Sequence, residues 1–462
     1  MKHNPDILIQ YNACLVIIGY EQTDFWEMYT PVRKLTNLGY LISPVGQRGW
    51  NIFQLDVATS ILNPEVNDND MYMTLPKRWP EGLNWPMIVV RLKKAVYGFK
   101  HAAQLWHNDI HTFLLPHKFT QSQANPILYL HSDGILIGLY VEDISMLCPK
   151  DSTKAAIEDK ARLSEKCKIT NLGTAHQFLS IEIHRKENAS CVSLGQMAFI
   201  IASLKRFNMR NAYDVSTPMN HNVKWNLAEH WGEKKLTDTT GYDPVVGSLI
   251  YAALATRPDI SFAVSALCQF NSDHFTSYLN AGKRVLQYLK STAGFWLHFS
   301  SSSIDSNDQL TGYTDSGWAN DSADRKSPGG IVFLLSNGAV WWQSQKQDLI
   351  AMSTLKAKYI ACSEGSGEAK WLLQLHWDMH CKDTSPPPIN CNIQGRHSHI
   401  TTWTIKPRTM HIDVCCHTIE DLYACRVVDD SYIHMHKNEA DILTKALTKD
   451  MHKKFTNATG LW

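Results

Sequence analysis

The 462-residue chain has no C-x-x-C pair among its eleven cysteines, no charge excess beyond +1, no membrane-length apolar run and no signal-peptide opening. Unpaired cysteine spacing excludes a disulfide scaffold and a zinc-ribbon framework, and points to a reduced, cytoplasmic setting rather than a secreted one. The longest apolar stretches, such as Gly134 to Val141, are far shorter than the roughly 20 residues a bilayer requires. Near-neutrality means that a nucleic-acid partner must be held by local patches. Arg91-Leu92-Lys93-Lys94, Lys283-Arg284 and Lys453-Lys454 are such patches, although each also reads as an ordinary solvated face.

What is present describes a globular protein. Hydrophobic residues make up 44% and charged residues 19%, and the length suggests two or three domains. Two apolar runs, Ile127 to Leu130 and Ile135 to Tyr140, flank Ser132-Asp133-Gly134 and predict a hairpin. A second reversal at Val141-Glu142-Asp143-Ile144 would display two acidic residues at a sheet tip. Polar residues 220–240 and Ser300 to Ser303 mark boundaries. Helical periodicity fills 245–290. Beyond it, Ser336-Asn337-Gly338 between two apolar runs predicts another hairpin. A long helix is expected from about Thr354 to Met379, with Pro386-Pro387-Pro388 barring its continuation.

Asp56 follows the strand-like Ile52-Phe53-Gln54-Leu55. A carboxylate after one strand and two on a neighbouring turn can hold two divalent metals for phosphoryl transfer. The same residues also suit solvated turns, so the pattern alone leaves both readings open.

Longer motifs carry a resemblance. Phe53-Gln54-Leu55-Asp56-Val57 through Ile61-Leu62-Asn63 is similar to the first catalytic motif of copia-type retrotransposon reverse transcriptases. Leu92 to Lys100 through Trp106 resembles their Leu-Tyr-Gly-Leu-Lys-Gln segment, and Tyr140-Val141-Glu142-Asp143 their Tyr-Val-Asp-Asp hairpin. Phe178 to Ile183, Thr217-Pro218-Met219, Thr256-Arg257-Pro258-Asp259-Ile260 and Lys283 to Lys290 follow in the family's order. Gly312 to Ala319, Asp324-Arg325-Lys326-Ser327, His411-Ile412-Asp413 and Ala440 to Lys445 resemble its ribonuclease H-like domain.

The resemblance covers nearly the whole chain. It implies an α+β palm-and-fingers reverse transcriptase fold followed by an α/β ribonuclease H-like domain. The expected divisions are 1–220 for fingers and palm, 221–305 for thumb and connection helices, and 306–462 for the ribonuclease H-like part. The chain opens inside the family's fingers, as a fragment of a longer polyprotein would. The implied chemistry is RNA-templated DNA synthesis and hybrid-RNA cleavage with Mg²⁺ or Mn²⁺. Asp56, Glu142 and Asp143 would be polymerase ligands, and Asp315 and Asp441 nuclease ligands. Ile61, Lys100 and His101 would line the substrate side. Implied partners are an RNA template, an RNA–DNA hybrid and other retrotransposon proteins, without a membrane.

Departures from the family pattern bear on activity. Asn12 and Cys14 stand where the family's fingers carry cations for the incoming triphosphate, and charge-assisted contacts are lost with them. Ile61 replaces a Phe, His101 a Gln and Gln104 an Arg. Glu142 replaces an Asp, and its extra methylene displaces a carboxylate that must be placed to about half an ångström. Mg²⁺ tolerates such displacement poorly. In the second domain Lys356 is aligned with the family's Glu and Asn392 with its third Asp. The expectation is therefore an impaired polymerase and a dead nuclease. Its rivals are a non-catalytic nucleic-acid-binding protein and a decayed product without a role. His376 with His380, and His411 with Cys415, Cys416 and His417, lack a full ligand set and read as surface and core residues rather than zinc sites.

Overall fold

The computed structural model describes residues 15–19, 37–66, 71–74, 89–185, 191–221, 241–272, 275–300, 309–321, 324–379, 385–393 and 410–462. The chain forms two compact units, one of 1–33 with 53–173 and the other of 34–52 with 174–462.

The first unit is built on a six-stranded sheet. Its strands run in the order Phe119–Gln121, Leu128–His131, Leu136–Tyr140, Asp143–Cys148, Asn51–Val57 and Ile169–Thr174. The helix Ala102–Leu114 buries Ala102, Trp106, Ile110 and Leu114, one residue per turn. Trp106, Ile110 and Leu114 join Leu55, Val57, Tyr129, Ile137, Met146 and Leu163 in one core. The Asp-Gly hairpin forms with Gly134 at φ 79°, the left-handed region in which glycine is unstrained. Pairing of Tyr140 with Asp143 then leaves Val141 and Glu142 as a two-residue turn.

In the second unit the helix Asn37–Arg48 is buried from Leu38 to Gly46. Helices Met197–Arg206, Tyr242–Ala255, Ser261–Cys268 and Thr276–Ser291 share an apolar core that includes Leu204, Val245, Leu249, Leu267, Leu286 and Leu289. Arg257 lies fully buried in this region. Its guanidinium donates to both Asp259 carboxylate oxygens at 2.9 and 2.8 Å and to Thr292 Oγ1 at 2.6 Å. Tyr288 adds a hydroxyl donor to Asp259 at 2.8 Å.

The same unit contains a five-stranded mixed sheet. Gly338–Lys346, Pro328–Leu335 and Thr311–Ser316 pair antiparallel, and Pro388–Cys391 and Asp429–Tyr432 continue in parallel. Its hairpin turns at Ser336 and Asn337, both left-handed at φ 54° and 62°, with Gly338 already in the strand. The turn thus sits one residue earlier than an Asn-Gly pair suggests. The helix Thr354–Asp378 packs on the central strand. A Cβ on Gly365 would fall 2.6 Å from Thr314 Cγ2, so glycine permits this close approach.

His376 does not behave as the surface histidine expected from sequence. Its Nδ1 shares a 2.6 Å hydrogen bond with the Tyr40 hydroxyl, and burial holds its pKa down at about 4. His380 and the side chains of His411, Cys415 and Cys416 lie outside the described residues. His417 is exposed and 3.0 Å from Glu420.

Candidate active sites

In the first unit, strand pairing brings Asp56 and the Glu142–Asp143 turn onto neighbouring strands. The Val57 amide donates to the Glu142 carbonyl at 2.8 Å, and the Trp106 indole donates to the Val141 carbonyl at 2.7 Å. These two bonds clamp a strained turn, since the β-branched Val141 is left-handed at φ 48°.

Two of the three acidic side chains, Glu142 and Asp143, are individually engaged. Glu142 Oε1 accepts from the Tyr97 hydroxyl at 2.6 Å, and Asp143 Oδ1 accepts from Gln54 Nε2 at 3.4 Å. Tyr97 is placed by its carbonyl, which accepts from the Ile17 amide at 2.7 Å. Next to it, Gly98 has φ 83°, and a Cβ there would sit 2.0 Å from the Ile17 carbonyl. Among the described residues, no three His, Cys, Asp or Glu side chains are grouped to hold a metal. The donor set therefore does not fit a bound metal as it stands.

Ile61 packs with Ala95, Phe99 and Ala102, and His101 is buried beside the Phe99 ring with centroids 5.5 Å apart. Lys100 is partly buried. Asn12 and Cys14 lie outside the described residues.

In the second unit the central strand carries Asp315, and the turn of 3-10 helix Glu439–Leu443 carries Asp441. Asn438 docks that turn. Its side chain accepts from the Ala440 amide at 3.2 Å and donates to the Thr314 carbonyl at 2.9 Å. Burial and the neighbouring Asp315 push the Asp441 carboxyl up to about 7, against the opposing pull of Lys445. Lys445 Nζ lies 2.8 Å from Asp441 Oδ2. Thr444 Oγ1 donates to Asp315 Oδ2 at 3.0 Å.

The lysine beside Asp315 is Lys358, not the Lys356 that the motif alignment places there. Its Nζ lies 3.8 Å from Asp315 Oδ1 and donates to Asn392 Oδ1. Helical phase explains the difference. Gly365, which meets Thr314, is seven residues from Lys358 and so on the same helix face, whereas Lys356 is nine away on the opposite face. That phase was available in the sequence. The roles of Tyr97, Asn438 and Thr444 were not, because each depends on contacts far along the chain.

The reverse transcriptase (RNA-dependent DNA polymerase) family matches residues 1–221. The putative transposon Ty5-1 protein of Saccharomyces cerevisiae is 31% identical over 314 residues, which is 67% of this chain and 98% of that protein. The chain belongs to the copia-type retrotransposon Pol family. The Pol polyprotein from transposon TNT 1-94 of Nicotiana tabacum is 32% identical over 98% of this chain and 34% of its own length. That from transposon RE1 of Arabidopsis thaliana is 32% identical over all of this chain and 31% of its own length. The chain therefore spans about a third of the plant Pol polyproteins it matches. Its described residues form a mixed α/β structure, with the reverse transcriptase match over the first 221 residues. Among the described residues no helix is long and apolar enough to cross a membrane.

Proposed function

We propose that this Pol-family chain binds an RNA template and an RNA–DNA hybrid, with weak polymerase chemistry and no nuclease chemistry. The observation that carries this reading is Lys358 beside Asp315, an ammonium in a carboxylate pair that a nuclease would give to divalent cations. The Tyr97–Glu142 bond supports the weaker polymerase, because it holds a lengthened carboxylate on a hydroxyl. Mg²⁺ or Mn²⁺ would be held by Asp56 together with Glu142 and Asp143, the last two drawn from Tyr97 and Gln54. The functional division at about residues 220 and 305 and a cytoplasmic setting belong to the same proposal, as does association with other retrotransposon proteins.

A folded binder is favoured over a decayed product by the satisfied network around Arg257, since a charge buried without partners is strongly destabilising. Nucleic-acid channels depend on distributed cations and aromatics more than on metal ligands, so binding should outlast catalysis. The test is hybrid binding by titration at several salt concentrations, alongside primer extension on an RNA template with Asp56→Asn as the blank. Steeply salt-dependent binding with little extension is the expected result. Folded protein that fails to bind at low salt overturns the reading.

A further inference from the structure

The second unit holds two buried carboxylates, each with a lysine of the chain beside it. Asp315 meets Lys358 Nζ at 3.8 Å and the Thr444 hydroxyl at 3.0 Å, and Asp441 meets Lys445 Nζ at 2.8 Å. Both carboxylates are nearly excluded from water, whereas the two lysines reach in from the margin. Lys358 also donates to Asn392, so one ammonium bridges the amide and the carboxylate.

A divalent pair does not fit this donor set. Mg²⁺ needs near-octahedral oxygen coordination at about 2.1 Å, and Mn²⁺ likewise favours carboxylate, carbonyl and water oxygens. Here Asn392 Oδ1 is engaged by an ammonium. Asp441 Oδ1 has no hydrogen-bond partner, and Asp315 Oδ1 has the Lys358 ammonium at 3.8 Å. A cation brought to Asp315 would also face the Lys358 ammonium across a few ångströms, where like charges repel strongly even at moderate dielectric.

We propose that Lys358 and Lys445 are the resident cations of the Asp315–Asp441 pair, so that the ribonuclease H-like unit is stable without divalent metal. The inference rests on the proposed loss of nuclease chemistry but is read out independently of it. Lys358 supplies the positive charge that otherwise comes from solution. Its position two helical turns from Gly365 fixes that charge over the strand carrying Asp315. The site becomes a structural ion cluster formed on folding rather than on metal binding.

The test is the melting temperature of the full chain with EDTA, Mg²⁺ or Mn²⁺, together with Mn²⁺ binding followed by electron paramagnetic resonance. For the unaltered chain we expect no metal-dependent shift and no bound Mn²⁺ that Asp315→Asn removes. Lys358→Met should lower the melting temperature by on the order of 5 °C, and Mn²⁺ should restore part of that loss because a cation is what is missing. A merely structural defect would not respond to metal. If Lys358→Met does not fold, Lys358→Glu with Asn392→Asp should acquire a Mn²⁺ site that Asp315→Asn abolishes. Mn²⁺ bound by the unaltered chain in an Asp315-dependent way, or metal-insensitive loss in Lys358→Met, overturns the inference. Hybrid cleavage by the unaltered chain would instead overturn the functional reading on which it rests.

Discussion

The Tyr97 hydroxyl donates to Glu142 Oε1 at 2.6 Å, across 45 residues of sequence. A tyrosine from the segment after Arg91 thus holds the carboxylate at the tip of the Val141–Glu142 turn. An aspartate, one methylene shorter, would draw back from Tyr97 and lose that hold. Primer extension in Mg²⁺ is therefore expected to be very low for the unaltered chain and higher in Mn²⁺. Glu142→Asp should raise it by about tenfold, the effect of roughly 1.4 kcal/mol on the barrier. Asn12→Lys with Cys14→Arg should add to that gain. Robust Mg²⁺-dependent extension by the unaltered chain contradicts this account.

Arg257 and Asp259 are buried together, and neither has water to fall back on. Arg257→Met removes one partner and leaves Asp259 with the Tyr288 hydroxyl alone, an imbalance expected to cost about 3–5 kcal/mol. Urea unfolding should show that loss, and Asp259→Asn should recover part of it in the Arg257→Met background. An effect below about 1 kcal/mol would mean that the pair is hydrated in solution.

His376 makes acid stability measurable. Burial, with Arg48 adding its charge, holds the imidazole at about 4, while an unfolded histidine titrates near 6.5. Between those values the unfolded chain binds the extra proton. The contribution is complete above about pH 6.5 and is lost as pH falls towards 4, on the order of 3 kcal/mol. Melting scans from pH 7.5 to 4.5 should show this decline. His376→Gln, which keeps a hydrogen-bonding group for Tyr40 without titrating, should flatten it. An unchanged profile in that variant would assign the decline to other groups.

Local patterns made much of the fold legible. Asp133-Gly134 announced its hairpin because glycine is needed at positive φ, and the helix Thr354–Asp378 formed within one residue of its expected span. The second hairpin was also visible, although Ser336 and Asn337 took the left-handed positions and shifted the turn by one residue. The acidic motif residues could be placed on their strands, but not their partners. Gln54, Tyr97 and Trp106 reach the Val141–Asp143 turn only after the sheet has formed. His376 was misjudged because the helix Asn37–Arg48, more than three hundred residues away, covers it. Long-range burial of this kind leaves little trace in a short sequence window.

The last expectation separates the two lysines of the 354–378 helix. Motif alignment assigns the substituted ligand to Lys356, whereas helical phase and the Asp315 contact assign it to Lys358. Each assignment predicts a different rescue of hybrid cleavage, measured as release of labelled RNA with Asp315→Asn as the blank. Lys358→Glu would replace an ammonium beside Asp315 by a carboxylate, turning repulsion of a divalent ion into attraction. At 4 Å and an effective dielectric of 20, one unit charge contributes roughly 4 kcal/mol and a divalent ion about twice that. Asn392→Asp would then supply the remaining carboxylate, now free of Lys358. The double variant Lys358→Glu with Asn392→Asp should give cleavage above the blank, and Asn392→Asp alone should give none. Lys356→Glu with Asn392→Asp should stay at background, because Lys358 would still occupy Asp315. Cleavage restored through Lys356 but not Lys358 would show that the helix presents its other face to the carboxylates in solution.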